Sequence, residues 1–485
     1  MSEIYKKATR VIVWLGPTTE HSRMCKQWLE AIDKLIPTMQ SANKITIGSP
    51  EYNPNWRLLI LRDTFSSPET DAIWAASIGK FWNHTWFRRG WIVQEFLLAR
   101  EVVCLSGDVQ FGLQDLIDLF TVPADDALSE ATDGWLSYRI LMQLKTDSFD
   151  DTPQPRRFLR LMASVAQEFV TQELGDRLFG FLGMIEGLDF VPDYQQTVKE
   201  NFTRFAATLA RQYGCLDFLS LWSANLDDLM KDTPEELLGL PSWVPSFQAT
   251  PLTAPWRLAT GGVRSWNGQI KWDAAAGRRH IHDPPLDTTT DPNRLQVHGQ
   301  IIDHIDKLSS ARLVKNFTIE EGYLTSIVVQ IQADLPGFEH WTQVELISFL
   351  NTVSRNGDAS HESAEEILGL APGGFPSEYK HLSNCADSLG ICLSVGRGRR
   401  FMRTEKGRAG LAPFIGSRAR ESDKKGSVIV ILHGCIVPMV LQKVDEDVDD
   451  DGGEWKVVGD CYFEGIMHGE AVDWEEGDTR TFVLV

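Results

Sequence analysis

The chain has 485 residues, 43% of them hydrophobic and 24% charged, and a formal net charge of −20. The length exceeds one ordinary core, so two or three domains are expected, and the charge excludes a protein built mainly to neutralise nucleic-acid phosphates. Sixteen Trp, seven of them by residue 91, mark large aromatic cores or interfaces near the N-terminus.

MSEIYKKATRVIVWLGP (1–17) has no signal-peptide apolar core with a small-residue cleavage site. VIVWLG (11–16), an apolar run ending in Gly-Pro, predicts a strand buried on both faces. Such a strand needs neighbours, and it starts only ten residues into the chain. The spacing of Met24, Trp28, Ile32 and Leu35 predicts a helix over 22–35. Residues 40–55 read as a loop, and 68–82 and 87–100 as helices. EVVCLS (101–106) reads as a strand, followed by a turn at Gly107-Asp108. This order predicts an α/β domain over 1–125.

A helical middle follows over 126–255, with periodic segments at 158–170, 176–185 and 197–214, the last ending on Gly214. LPSWVPSF (240–247) reads as a rigid connector around Trp243. Residues 256–485 form a β-rich region, with strands predicted at 294–309, 426–434 and 456–469 and an inserted helical subdomain at about 315–390. The overall expectation is α/β plus α+β. SVIVILHGCIVPMVL (427–441) is too short to span a bilayer and reads as two strands around a turn. DEDVDDDGGE (445–454) reads as a solvated acidic loop, since the EF-hand pattern is missing.

The seven Cys are scattered without a C-x-x-C, which predicts reduced thiols in a soluble, cytoplasmic protein. Nucleophile-elbow, zincin and P-loop motifs are missing, and GRG (396–398) has no Rossmann strand before it. HIH (280–282), with His298 and His304, invites a metal reading, but scattered histidines are usually satisfied or exposed, and no metal site is expected.

RRGWIVQEFLLAR (88–100) sets Trp91 and Glu95 four residues apart, on one face of a helix. Either Trp91 is core and Glu95 a surface acid paired to an Arg, or an indole dehydrates a carboxylate that Arg88 or Arg89 holds ionised. Asp176 and Arg177 read as structural, with Asp176 suited to cap a helix, and Pro192-Asp193-Tyr194 as a turn entering the helix at 197.

Seven segments in order resemble the fungal heterokaryon incompatibility (HET) domain and its usual sequel. They are MSEIYKKATRVIVWLGP (1–17), WFRRGWIVQEFLLAREVVCLSGD (86–108), GDRLFGFLGM (175–184), VPDYQQTVKENFTRFA (191–206), LPSWVPSF (240–247), RRFMRTEKGRAGLAP (399–413) and CYFEGIMHGEA (461–471). The family's opening "SYVWG" and "WIDAICINQ" segments are not in this chain, which therefore resembles the domain without its N-terminal part. Gly175 also stands where the family often has Arg.

HET domains are thought to be similar to Toll/interleukin-receptor (TIR) domains, some of which cleave NAD. The resemblance thus implies a TIR-like α/β remnant and makes Glu95, with Trp91 as pocket neighbour, the candidate catalytic residue, NAD being the substrate and no cofactor being assigned. A carboxylate there would stabilise an oxocarbenium-like state as the nicotinamide–ribose bond breaks. The function it implies first is fungal non-self recognition and regulated cell death through association with other proteins or with itself, without nucleic acid or a membrane span. The alternatives are an NAD glycohydrolase activated on oligomerisation and a non-functional truncated paralogue.

Overall fold

The computed structural model describes residues 2–41, 76–77, 79–112, 115–116, 141, 155–165, 169, 171–221, 235–247, 272–279, 291–312, 323–354, 399–413, 427–445, 453–475 and 477–485. Residues 42–55 of the expected loop, 68–75 and 78 of the helix at 68–82, the HIH and GRG segments and most of the acidic run lie outside these residues. So do the segments around the boundaries expected at 125 and 255, and 355–390 of the expected insertion. Residues 40–41 instead belong to a helix, and 76–77 and 79–82 are helical as expected. The fold is mixed α/β with a β-rich C-terminal region, and it divides into two compact units. One comprises Met1–Asp147 with Ser164–Met184, the other Ser148–Ala163 with Ile185–Val485.

In the first unit, α1 (Ser2–Lys7) leads into β1 (Val11–Trp14) and α2 (Glu20–Ser41). Thr19 and Ser22 cap α2 reciprocally, each hydroxyl accepting the other residue's amide at 2.9–3.0 Å. The buried stripe of α2 runs through Cys25 and Leu29, one position round from the stripe through Met24 and Trp28 that the sequence predicts. β1 pairs in parallel with β2 (Val102–Ser106), which turns back antiparallel into β3 (Val109–Phe111). The two-residue turn uses Gly107 at φ +60°, where a Cβ would fall 2.1 Å from the Thr18 hydroxyl. Phe81, Trp82, Phe87 and Phe111 form the aromatic core, with ring centroids 4.7–5.5 Å apart.

Among the described residues the sheet order is β1-β2-β3, which leaves β1 at one edge, and the strand is not covered on both faces as the sequence predicts. Val13 is buried, but Ile12 and Trp14 are 62% and 59% exposed. An apolar run of this length cannot by itself report which of its faces finds a covering layer.

In the second unit, α4 (Arg156–Val165), which straddles the boundary, and α6 (Val198–Tyr213) bring Phe158 and Phe205 within 5.7 Å. α6 has a full capping box between Thr197 and Glu200 and ends on Gly214 in the left-handed region. The turn before it is built as the sequence predicts, Asp193 Oδ1 accepting the Gln195 amide at 2.9 Å.

The C-terminal strands are β4 (Leu295–Arg312), β5 (Arg400–Thr404), β6 (Ala409–Ala412), β7 (Ser427–Leu432), β8 (Met439–Lys443), β9 (Glu454–Asp460), β10 (Tyr462–Phe463) and β11 (Arg480–Leu484). They run in the order β10-β6-β5-β4-β11-β9-β8-β7, and β4 also pairs with β7, closing β4-β11-β9-β8-β7 into a barrel. The 18 residues of β4 make this closure feasible, since they pair in turn with β11, β7 and β5, with bulges that bend the strand. Ile302, Ile305, Ile429, Ile431, Val440 and Val458 fill part of the core. Two helices, α7 (Tyr323–Asp334) and α8 (Gln343–Ser354), lie between β4 and β5 in chain order.

Two buried acids tie this unit together. Asp217, fully buried, accepts Arg156 Nε at 2.6 Å and the Ile436 amide at 2.9 Å. Asp460 accepts Arg399 at 2.7 Å with both side chains 3% exposed or less. The 240–247 connector closes on the C-terminus: the Ser242 amide donates to Val485 O at 2.9 Å and the Trp243 indole to Asn293 O at 2.9 Å.

Candidate functional site

Trp91, Glu95, Asp176 and Arg177 all lie in the first unit. Trp86 lies on a 3-10 turn (Thr85–Arg88) whose N-cap, His84, accepts the Trp86 amide through Nδ1 at 3.1 Å. Trp91 is the N-cap of the short helix α3 (Ile92–Leu97), and Glu95 sits in its first turn. A helix over the whole of 87–100 is thus replaced by a 3-10 turn and six helical residues.

This break separates the two candidates. The Trp91 indole donates to Asp176 Oδ2 at 3.1 Å, whereas Glu95 Oε2 accepts the indole N–H of Trp86, also at 3.1 Å. Glu95 Oε1 faces the Tyr5 hydroxyl of α1 at 3.5 Å. Glu95 and Trp91 are both half-buried, while Trp86 is 5% exposed. Burial, then the Glu95 charge and hydrogen bond, raise the Tyr5 pKa, with Arg89 acting against them. The result is a carboxylate gripped by one indole and one phenol, both neutral donors, which orient it without cancelling its charge.

Asp176 opens α5 (Asp176–Phe179) but does not cap it; Gly175 is the N-cap and offers no side chain. The role of Asp176 is instead to anchor Trp91. The same segment meets α3 a second time through buried Gln94, whose amide donates to Gly180 O and whose Oε1 has no partner among the described residues. A Cβ on Gly180 would fall 2.7 Å from Asp176 O and 3.9 Å from the Trp91 ring, so the close approach requires glycine. Two sequence motifs about eighty residues apart, GWIVQEF and GDRLFGF, therefore form one substructure. Trp86 and Tyr5 were missed as partners of Glu95, and the signal that could have found them was their place in the same recurring segments.

Elsewhere, His298 Nδ1 lies 3.1 Å from the Thr481 hydroxyl, and His304 is exposed on β4. Burial pushes the Cys25 and Cys104 thiols up to about 12 and Cys215, Cys435 and Cys461 well above their ordinary value. These five are free and buried, which makes them poor nucleophiles. Among the described residues, no helix is long and apolar enough to cross a membrane.

An N-terminal unit in which the VIVW strand leads, through helices, to a Trp/Glu helix locked against a GDRLFGF segment, together with a C-terminal barrel, defines a class. Residues 1–95 match the family model described as Heterokaryon incompatibility protein (HET), and 378–485 match the one described as Het-6 beta-barrel domain. The chain is a fungal HET domain-containing protein. A relative found among known proteins is the Heterokaryon incompatibility protein 6, OR allele, of Neurospora crassa, 21% identical over 572 residues that cover 98% of this chain and 78% of that one. No solved structure matches the chain. The barrel match begins after β4, although β4 is the strand that closes the barrel.

Proposed function

We propose that this protein acts in fungal non-self recognition, leading to regulated cell death, by associating with another protein through the open edge of β1. The supporting observation is the pair Ile12 and Trp14, about three-fifths exposed on a strand of the HET-matched segment that is an edge strand among the described residues. The amides of Val11 and Leu15 bond to β2-side carbonyls, Glu101 O and Leu105 O. Alternation then directs the intervening Ile12 and Trp14 backbone groups to the open edge, ready for a partner strand with apolar side chains. The relative from Neurospora, named as an incompatibility protein, agrees with this reading. The parallel β1–β2 pair joined through helices supports a TIR-like α/β remnant, and α7 and α8 between β4 and β5 support a helical insertion in the barrel. We place the protein in the cytoplasm.

A second reading is an NAD glycohydrolase in which Glu95 stabilises the developing ribosyl cation. The half-buried, oriented carboxylate between Trp86 and Tyr5 favours it. Purified wild type and Glu95→Gln incubated with NAD and assayed for nicotinamide separate the two readings. The association reading expects background release from both, and release by wild type alone would replace it with the enzyme. In parallel, light scattering and affinity capture compare wild type with Ile12→Lys/Trp14→Lys. Assembly with self or with a fungal protein, lost in the double variant, is the expected result, and unchanged assembly overturns the edge assignment.

A further inference from the structure

The barrel carries a polar cavity of about 500 Å³. One wall is β4 and the β5–β6 turn, the other the segment from Glu470 to Arg480. Both walls are held by buried polar groups. Asp303, 3% exposed at the β4 bulge, accepts the His304 amide at 2.8 Å and the Lys406 amide at 3.4 Å through Oδ1. Gln300, 6% exposed, accepts the Asp473 amide at 3.2 Å and donates to the Asp473 carbonyl and to the Thr479 hydroxyl. Gly477 completes this wall, because a Cβ there would fall 2.4 Å from Gln300 Nε2. The cavity is thus fixed in shape before any ligand enters.

Its charge departs from that of the chain. Lys406, Arg408 and Arg480 face it against Glu470 and Asp478, three cations to two carboxylates, on a protein of net charge −20. Most of these groups are already engaged. Arg480 pairs with Asp478 at 2.7 Å, Lys406 Nζ donates to Ile302 O at 2.6 Å, and Glu470 accepts the His468 amide at 2.7 Å. Arg408 differs. Its backbone amide donates to Thr404 Oγ1 at 3.0 Å, but its guanidinium has no partner among the described residues. An unpaired guanidinium fork in a fixed polar cavity is suited to a phosphate group. The carboxylates opposite accept hydroxyl protons, and among the described residues the lining carries no Phe, Tyr or Trp, its one ring being the small imidazole of His304.

We infer that the barrel cavity binds a small phosphorylated polyol, with Arg408 holding the phosphate and Glu470 and Asp478 reading hydroxyls. The inference stands independently of how the HET segment acts. The test is calorimetric titration of the full chain, in low salt, with glucose 6-phosphate, glucose and inorganic phosphate. Arg408→Gln is compared with wild type, and Arg211→Gln on α6 serves as a charge-matched control. The expected result is binding of glucose 6-phosphate at least tenfold tighter than either fragment, weakened at least tenfold by Arg408→Gln and unchanged by Arg211→Gln. Since the Arg408 side chain has no partner among the described residues, its loss should leave folding intact, as thermal unfolding of the variant verifies. No binding of glucose 6-phosphate, or equal binding by Arg408→Gln, overturns the proposal. Equal affinity for inorganic phosphate and the sugar phosphate overturns its polyol half.

Discussion

Replacing Asp217 by Ala tests how the second unit is fastened. The carboxylate is fully buried and joins three parts of the chain: Arg156 on α4, Cys215 beside it and the Ile436 amide after β7. Burial, the largest single influence, works against the Arg156 charge, but Asp217, Cys215 and Asp273 together outweigh it and raise the pKa of the guanidinium. Truncation leaves a buried amide without an acceptor, costing about 1–3 kcal/mol, and an ion pair broken from one side, costing about 3–5 kcal/mol when fully buried. The Arg156 side chain is 31% exposed and regains some water, so the combined loss falls near the lower end, about 3–4 kcal/mol. Asp217→Asn keeps an acceptor for Ile436 and loses about half as much. Urea unfolding followed by far-ultraviolet circular dichroism reads the stability, and amide exchange at Ile436 and Leu216 locates the loss. A change under 1 kcal/mol for Asp217→Ala, with Ile436 still protected, would refute the reasoning.

Gly180→Ala should destabilise the first unit by about 1–3 kcal/mol, because the new methyl meets Asp176 O at 2.7 Å in a packed site while the backbone, at φ −60°, adds no strain of its own; urea midpoints check this, and an unchanged midpoint would count against it. Burial raises the Asp460 pKa from 3.8 to about 6, with Arg399 opposing. Its folded pKa lies above the unfolded one, so the stability it gives is present below about pH 4 and is lost as pH rises through about 6. Relative to Asp460→Asn, wild type should therefore lose roughly 1.4 kcal/mol per pH unit across that window, and parallel stability–pH curves would count against it. The thiols of Cys25, Cys104, Cys215, Cys435 and Cys461 should resist alkylation in the native protein and react only on unfolding, as peptide mapping by mass spectrometry can read.

Of the barrel strands, β4, β7, β8 and β9 were legible in the sequence because alternation and Gly turns are local signals, whereas β5, β6 and β11 were not read as strands. Closure was not legible, since it depends on one long bulged strand, β4, meeting three partners far away in sequence. At the candidate site, the i, i+4 spacing correctly put Trp91 and Glu95 within one helical turn. It misjudged which indole serves which acid, because Trp91 ends the helix as its N-cap and swings to Asp176, while Trp86 reaches Glu95 from a 3-10 turn. VIVW read as a covered strand because apolar content reports the preference for burial, and the outcome for Ile12 and Trp14 depends on what else packs there.

Expression in a filamentous fungus of wild type, Ile12→Lys/Trp14→Lys and Glu95→Gln, scored for growth arrest and cell death, tests the association account most directly. It predicts that wild type and Glu95→Gln act alike while the edge variant is silent at equal protein level. Death abolished by Glu95→Gln and retained by the edge variant would contradict it.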